Sequence, residues 1–149
     1  MRYGKKRVNG ELNTVYDSVF ESALEIVEEI AQASKDFPRE RIYLADLVCR
    51  HSKLVCDNLE EAWRMKEHGP MFLDRLSDAA QAASKTQDVL KLASRNNYID
   101  GETFRKIDAK YESIFEDIFM VLCDGKKLMN NSRGNGKREQ AYPEIVSVG

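Results

Sequence analysis

Four long stretches of this chain place apolar residues at three- and four-residue steps, and very short connections separate them. An apolar stripe with that period predicts an amphipathic helix. The stripes predict helices over about residues 13–36, 39–68, 70–95 and 100–131. Helices joined by such short connections lie antiparallel to one another. Four predicted helices with short connections therefore predict an all-α, up-down-up-down antiparallel four-helix bundle.

The predicted helix boundaries follow from local chemistry. Pro38 pushes the residue before it out of the α region and so ends the first helix. Pro70 is suited to the first turn of the third helix, because its missing N–H is not needed there. Asp100 is the predicted N-cap of the fourth helix, with its carboxylate accepting from a backbone N–H two or three residues further on.

The length of 149 residues suits one domain. Residues 1–12 are predicted to form a basic N-terminal arm, residues 13–131 the bundle and residues 132–149 a flexible C-terminal tail.

No apolar run approaches the roughly 18 residues that span a membrane. The N-terminus also lacks the apolar centre of a secretory signal. We expect a cytoplasmic protein.

The second helix has too wide an apolar arc for an ordinary surface helix, which buries a single stripe. A second apolar line, including Leu44 and Val48, lies beside its first one. This helix should therefore be buried on two sides, by its own bundle and by another subunit. The candidate interface residues are Leu47, Leu54, Asn58 and Trp63.

Basic residues mark candidate contacts with nucleic acid or a partner. They are Arg2, Lys5, Lys6 and Arg7 in the arm, and Arg50, Lys53 and Arg64 on the second helix. The alternative for the second helix is a solvated face with Lys53–Asp57 and Glu60–Arg64 pairs at i,i+4 spacing, which its balanced charge favours. The whole chain carries −2, residues 1–10 carry +4 and residues 132–149 carry +1, which leaves −7 for residues 11–131. The acidic bundle should repel phosphate, so the arm is the main expected source of attraction.

Residues for metal or catalytic chemistry are sparse. A di-iron bundle needs two Glu-x-x-His pairs, but an apolar residue stands three before both His51 and His68. Cys49 and Cys56 are seven residues apart, about 10 Å along a helix, which is too far for a disulfide. With Cys123 they are predicted to be buried free thiols. We expect no cofactor, no metal and no enzymatic activity.

The order and spacing of several short motifs resemble a known family, the proteins encoded within bacterial 23S ribosomal RNA intervening sequences. The resemblance covers about residues 15–124. The motifs are Phe37-Pro38-Arg39-Glu40, Tyr43-Leu44-Ala45, Arg50-His51, Asn58-Leu59-Glu60-Glu61-Ala62 and Asn97-Tyr98-Ile99, the last similar to a Gly-Tyr-Ile turn of the family. Gln87 stands near a position where the family pattern leads us to expect Glu.

This resemblance implies a small bacterial four-helix bundle that assembles as a ring, a pentamer in known members, with no enzymatic member. A related branch comprises accessory proteins of diversity-generating retroelements, which bind a reverse transcriptase and its RNA. We therefore expect a non-enzymatic homo-oligomer, a pentamer, that acts as an interaction scaffold. The alternative is a nucleic-acid-binding accessory protein, for example a partner of a reverse transcriptase and its RNA.

Overall fold

The computed structural model describes the backbone of residues 7–132 and the side chains of residues 13–124. The helices are α1 (Arg7–Ser34), α2 (Ile42–Arg64), α3 (Gly69–Arg95) and α4 (Gly101–Ser132), with a 3₁₀ turn over Arg39–Arg41 before α2. The described backbone contains no strand. Helices α1 and α3 each pack against both α2 and α4. The predicted all-α four-helix bundle is confirmed.

Two helix boundaries differ from the predicted ones. Helix α1 begins at Arg7, so residues 7–12, which we assigned to the arm, are helical. The reason is visible in the sequence, because Val8 and Leu12 continue the apolar spacing upstream of Val15. Helix α2 begins later and ends earlier than predicted, at Ile42 and Arg64. Residues 1–6 and 133–149, which include most of the predicted tail, lie outside the described residues.

The apolar stripes of all four helices meet in one core. Its largest fully buried apolar side chains are Ile26, Ile30, Val48, Val55, Leu59, Leu90, Ile107, Tyr111 and Ile114. Complete burial of one such aliphatic side chain contributes about 1.5–3 kcal/mol to the free energy of unfolding. None of the helices in the described part of the chain carries an apolar stretch long enough to cross a bilayer.

Two buried hydroxyl groups in the core are hydrogen-bonded within their own helices. Ser52 donates to the carbonyl oxygen of Cys49 at 2.9 Å, and Thr86 donates to that of Ala82 at 2.7 Å. These bonds offset the cost of taking each hydroxyl out of water. The core therefore tolerates polar residues that a purely apolar stripe would not predict.

Helix α4 begins with the predicted cap. The Asp100 Oδ2 atom accepts from the backbone N–H of Thr103 at 3.2 Å and from its hydroxyl at 3.0 Å. The cap satisfies one of the backbone donors that have no partner inside a helix. The predicted N-cap is confirmed.

Helix α3 ends in a Schellman turn at Asn97, whose φ is 63°. The N–H of Tyr98 donates to the carbonyl oxygen of Ala93 at 2.8 Å, and that of Asn97 donates to Ser94 at 3.0 Å. This pair of bonds defines the motif, which needs a left-handed residue after the helix. Asn is the residue other than Gly that most readily adopts this conformation. Asn97 can therefore serve where the resemblance noted above leads us to expect Gly.

The α1–α2 and α3–α4 connections touch each other at one end of the bundle. Arg41 donates through Nε to the Tyr98 hydroxyl at 3.0 Å. The rings of Phe37 and Tyr98 lie 6.0 Å apart between centroids. This end is therefore a single surface built from two connections.

Candidate interaction surfaces

An apolar strip runs along the outer edge where α2 packs against α3. It consists of Tyr43, Leu47 and Leu54 on α2 with Val89 and Leu92 on α3, and we call it the α2–α3 face. Tyr43, Leu54 and Leu92 are exposed, while Leu47 and Val89 are half-buried. Several exposed apolar side chains along one edge make the α2–α3 face a candidate interaction surface.

Helix spacing relates these residues to the side on which α2 and α3 meet. Glu61 and Met65 line a surface cavity of about 390 Å³ together with Met71 and Arg75 of α3. Leu54 lies seven residues before Glu61, so both side chains emerge on the same side of α2. On α3, Val89 lies four residues after Lys85, and Leu92 lies three residues after Val89, so all three lie near one side of the helix. The charge of Lys85 lowers the pKa of His51 on α2, so this side of α3 is near α2.

The predicted interface residues fall into two places. Leu47, Leu54 and Asn58 share the side of α2 that faces α3. Trp63 lies nine residues after Leu54, about two and a half turns, and so emerges on the opposite side. It stacks on Tyr16 of α1 with 4.3 Å between ring centroids. Trp63 therefore packs within its own subunit and does not belong to the α2–α3 face.

A row of stacked rings continues from Trp63 along α1. Tyr16 also stacks on Phe20 at 5.6 Å, and the Lys66 Nζ atom lies 4.9 Å from the centre of the Trp63 ring. Burial, followed by the charge of Glu60, raises the pKa of Tyr16 to about 12. The phenol stays protonated at neutral pH, and the ring serves packing.

The three candidate cations of α2 lie on its outer surface and are exposed: Arg50, Lys53 and Arg64. Arg64 pairs with Glu61 at 3.5 Å, and neither predicted i,i+4 pair is among the ion pairs of residues 13–124. Those two predictions are wrong, and Arg64 pairs with its i,i+3 neighbour Glu61 instead of Glu60. The outer surface also carries Asp46, Asp57 and Glu60, so these cations do not form a basic patch.

The predicted N-terminal contact falls almost entirely outside the described residues. Arg2, Lys5 and Lys6 precede the described backbone. Arg7 is the first residue of α1, and its side chain lies outside the described residues. The arm stays a prediction.

His51 is half-buried on the α3 side of α2. Its Nδ1 atom is buried without a hydrogen-bond partner among the described residues. Burial, followed by the charges of Lys85 and Arg50, lowers the pKa of this imidazole. The lowered pKa favours the neutral form of His51 near pH 7.

The three thiols differ in exposure. Cys56 is buried, and burial followed by the charge of Asp57 raises the pKa of its thiol to about 11. Cys49 is half-buried, with its Sγ atom 3.5 Å from the Ser34 hydroxyl. Cys123 is exposed, so the prediction that it is buried is wrong. Nucleophilic cysteines need a lowered thiol pKa, whereas the thiol pKa of Cys56 is raised.

Two polar contacts tie α4 to its neighbours. The Gln87 Nε2 atom donates to Asp108 Oδ1 at 2.8 Å and to Glu112 Oε2 at 3.0 Å. Lys110 donates to Glu29 Oε2 at 2.7 Å. Among the side chains of residues 13–124, no group of three or more His, Cys, Asp or Glu residues gathers as a metal site would. The observed polar clusters thus join helices.

Charge is segregated along the bundle in a way that sequence reasoning missed. We call residues 35–41 and 91–106 the loop pole, because they contain the two connections that touch. The loop pole carries seven Lys and Arg residues against four carboxylates, a net charge of +3. The other side chains of residues 13–124 carry seven cations against eighteen carboxylates, a net charge of −11. The two halves of the pole are some fifty residues apart in sequence, so a linear charge count does not reveal it.

The architecture defines a small antiparallel four-helix bundle. The family model of the 23S rRNA-intervening sequence protein matches residues 17–119, and this chain belongs to that family. The fold is also similar to the crystal structure of a protein of unknown function from the S23 ribosomal protein family of Bacteroides thetaiotaomicron VPI-5482. That match has a TM-score of 0.65 and 21% identity, and covers 72% of this chain and 97% of the other. No curated protein sequence matches.

Proposed function

We propose that this protein is a non-enzymatic interaction scaffold that assembles as a closed ring of five copies in the cytoplasm. The observation that carries the proposal is the α2–α3 face. Its exposed Tyr43, Leu54 and Leu92 side chains gain on the order of a few kcal/mol per subunit when a neighbour covers them. The neutral His51 adds no charge that would oppose such burial.

A closed ring of five needs two different surfaces on each subunit, because its interfaces join unlike patches head to tail. Phe119 and Met120 on α4 are 66% and 60% exposed and lie away from the α2–α3 face. These two residues are the second surface in the proposed ring. The interface would then join the α2–α3 face of one copy to α4 of the next.

Single substitutions test the first surface. Leu54→Glu places a charge in the α2–α3 face and should convert the assembly to monomers of about 17 kDa. Leu24→Glu on α1 is the matched control, because Leu24 and Leu54 are both 44% exposed. Sedimentation velocity at micromolar concentration reads out the mass. A monomeric unmodified protein would overturn the proposed ring.

Mixing variants tests whether the two surfaces are complementary. Leu54→Glu and Phe119→Glu should each be monomeric when alone. A 1:1 mixture should form a dimer and stop there, because each copy retains one intact surface. An interface that uses the α2–α3 face on both copies would instead leave Phe119→Glu dimeric when alone, which would contradict the ring.

The absence of catalysis and cofactors is part of the proposal. It is supported by the raised pKa of the Cys56 thiol and by the structural use of the polar clusters. Elemental analysis of untagged protein is the test. Stoichiometric iron or zinc would contradict it.

The second candidate function is that of a nucleic-acid-binding accessory protein, for example a partner of a reverse transcriptase and its RNA. The net charge of the loop pole is the observation that favours it. Co-purification of the full chain with such an enzyme should then depend on RNA, and loss of the complex after nuclease treatment tests this.

A further inference from the structure

We infer that the loop pole binds the phosphate backbone of a nucleic acid, without reading its sequence. Nucleic-acid binding without base readout depends on Lys and Arg that neutralise phosphates. Among the side chains of residues 13–124, the loop pole, at +3, attracts phosphate, whereas the remainder, at −11, repels it. A surface field of this polarity steers a polyanion toward the pole and away from the flanks.

The cations of the loop pole are available for such contacts. Six of its seven basic residues are exposed: Lys35, Arg39, Lys91, Arg95, Arg105 and Lys106. None of the six takes part in an ion pair within the described side chains. Of the four carboxylates, Asp100 already accepts two hydrogen bonds as the cap of α4.

Contacts between the connections hold the two basic segments in one surface. The hydrogen bond from Arg41 to Tyr98 and the packing of Phe37 on Tyr98 join residues 35–41 to residues 91–106. A phosphate backbone can therefore contact both segments without first ordering two separate loops. This arrangement lowers the entropic cost of binding.

The proposed ring would raise the affinity of the loop pole for a long strand through avidity, and the inference rests on the proposed function for that gain alone. Rotation about the ring axis places the loop pole of every copy on one circle. Several weak contacts along one strand then act together. A monomeric variant should keep the site but bind with about tenfold or more lower affinity.

Fluorescence anisotropy with labelled 30-nucleotide single strands of mixed sequence tests the site. RNA and DNA of the same sequence should bind similarly, because only phosphates are contacted. Four phosphate contacts predict about a 50-fold loss of affinity between 50 and 200 mM salt. The pole variant Arg39→Glu/Lys106→Glu should bind at least about tenfold more weakly than the unmodified chain, because each reversal removes one contact and adds repulsion.

Two controls make the result specific. Arg64→Glu/Lys66→Glu, two exposed cations at the end of α2 away from the loop pole, changes net charge by the same amount and should leave affinity within about threefold. A chain lacking residues 1–6 tests the basic arm. Full affinity in the pole variant would overturn the inference, and loss in either control would relocate the site to α2 or the arm. A ring that binds neither strand would overturn the inference and leave the proposed scaffold standing.

Discussion

The Gln87 amide donates a 2.8 Å hydrogen bond to the Asp108 carboxylate, which joins the middle of α3 to α4. The second amide hydrogen goes to Glu112, so one neutral donor serves two acids. Gln87 itself is buried. A glutamate here, as the family resemblance suggests, would instead bring three carboxylates together. In this chain the glutamine is therefore matched to the residues across from it.

Gln87→Glu should destabilise the bundle at neutral pH. The substitution removes both donated bonds and leaves a buried acid beside two others, at a cost of about 1–3 kcal/mol in free energy of unfolding. Repulsion raises the pKa of the introduced acid in the folded state. The loss should therefore shrink as pH falls toward about 4, where that acid binds a proton.

Urea unfolding followed by far-UV circular dichroism at pH 7 and pH 4.5, at one protein concentration, measures this effect. Gln81→Glu is the matched control, because Gln81 is exposed on the same helix. An equal loss of stability in both variants, or no pH dependence, would contradict the assigned role of Gln87.

Asn97→Ala should destabilise the turn after α3. Asn97 has a φ of 63°, where a residue with a Cβ and no local side-chain hydrogen bond is disfavoured by about 1–2 kcal/mol. Asn97→Gly should preserve or raise stability, because Gly adopts this conformation without strain. Asn96→Ala at φ −94° is the neighbouring control and should cost less than Asn97→Ala. Thermal unfolding measures the Tm of each variant, and we expect the lowest Tm for Asn97→Ala. Equal Tm values for the two alanine variants would refute this prediction.

Asp100 should stabilise α4 in a pH-dependent way. The Thr103 hydroxyl, followed by its backbone N–H, lowers the pKa of Asp100. A lowered folded-state pKa adds stability above the unfolded pKa of about 3.9, and that stability is lost as pH falls through the folded value. Asp100→Ala should therefore lower the Tm at pH 7 and have a smaller effect near pH 2.

Asp100→Asn separates charge from hydrogen bonding in this cap, because it keeps an accepting side-chain oxygen. Its Tm at pH 7 should lie between those of the unmodified protein and Asp100→Ala. A constant difference between Asp100→Ala and the unmodified protein from pH 7 to pH 2 would show that the carboxylate charge contributes nothing.

The thiols should react with an aromatic disulfide reagent at very different rates. Cys123 is exposed and should react first, whereas Cys56 is buried, with a pKa of about 11, and should react only after unfolding. Reactivity follows the thiolate fraction and access. Cys123→Ser should abolish the fast phase in native protein. A fast phase that survives this substitution, and disappears in Cys56→Ser, would place a reactive thiol in the core.

Much of the architecture could be predicted from local pattern. The 3.6-residue spacing gave four helices, and Asp100 and Pro38 marked boundaries through backbone chemistry that acts within a few residues. The upstream extension of α1 to Arg7 could also have been predicted, since Val8 and Leu12 continue its stripe. The predicted Glu60–Arg64 pair does not form because side-chain rotamers, which spacing alone does not fix, bring Arg64 to Glu61 instead.

The sequence by itself determined which elements form, because helix periodicity, caps and breakers act over a few residues. Only the tertiary structure decided which residues share a surface. It separated Trp63 from Leu54, because nine residues on a helix lead to opposite sides and α1 supplies Tyr16 as a stacking partner. It also joined Arg41 to Tyr98 and thereby assembled the loop pole, because antiparallel packing returns distant connections to the same end of the bundle.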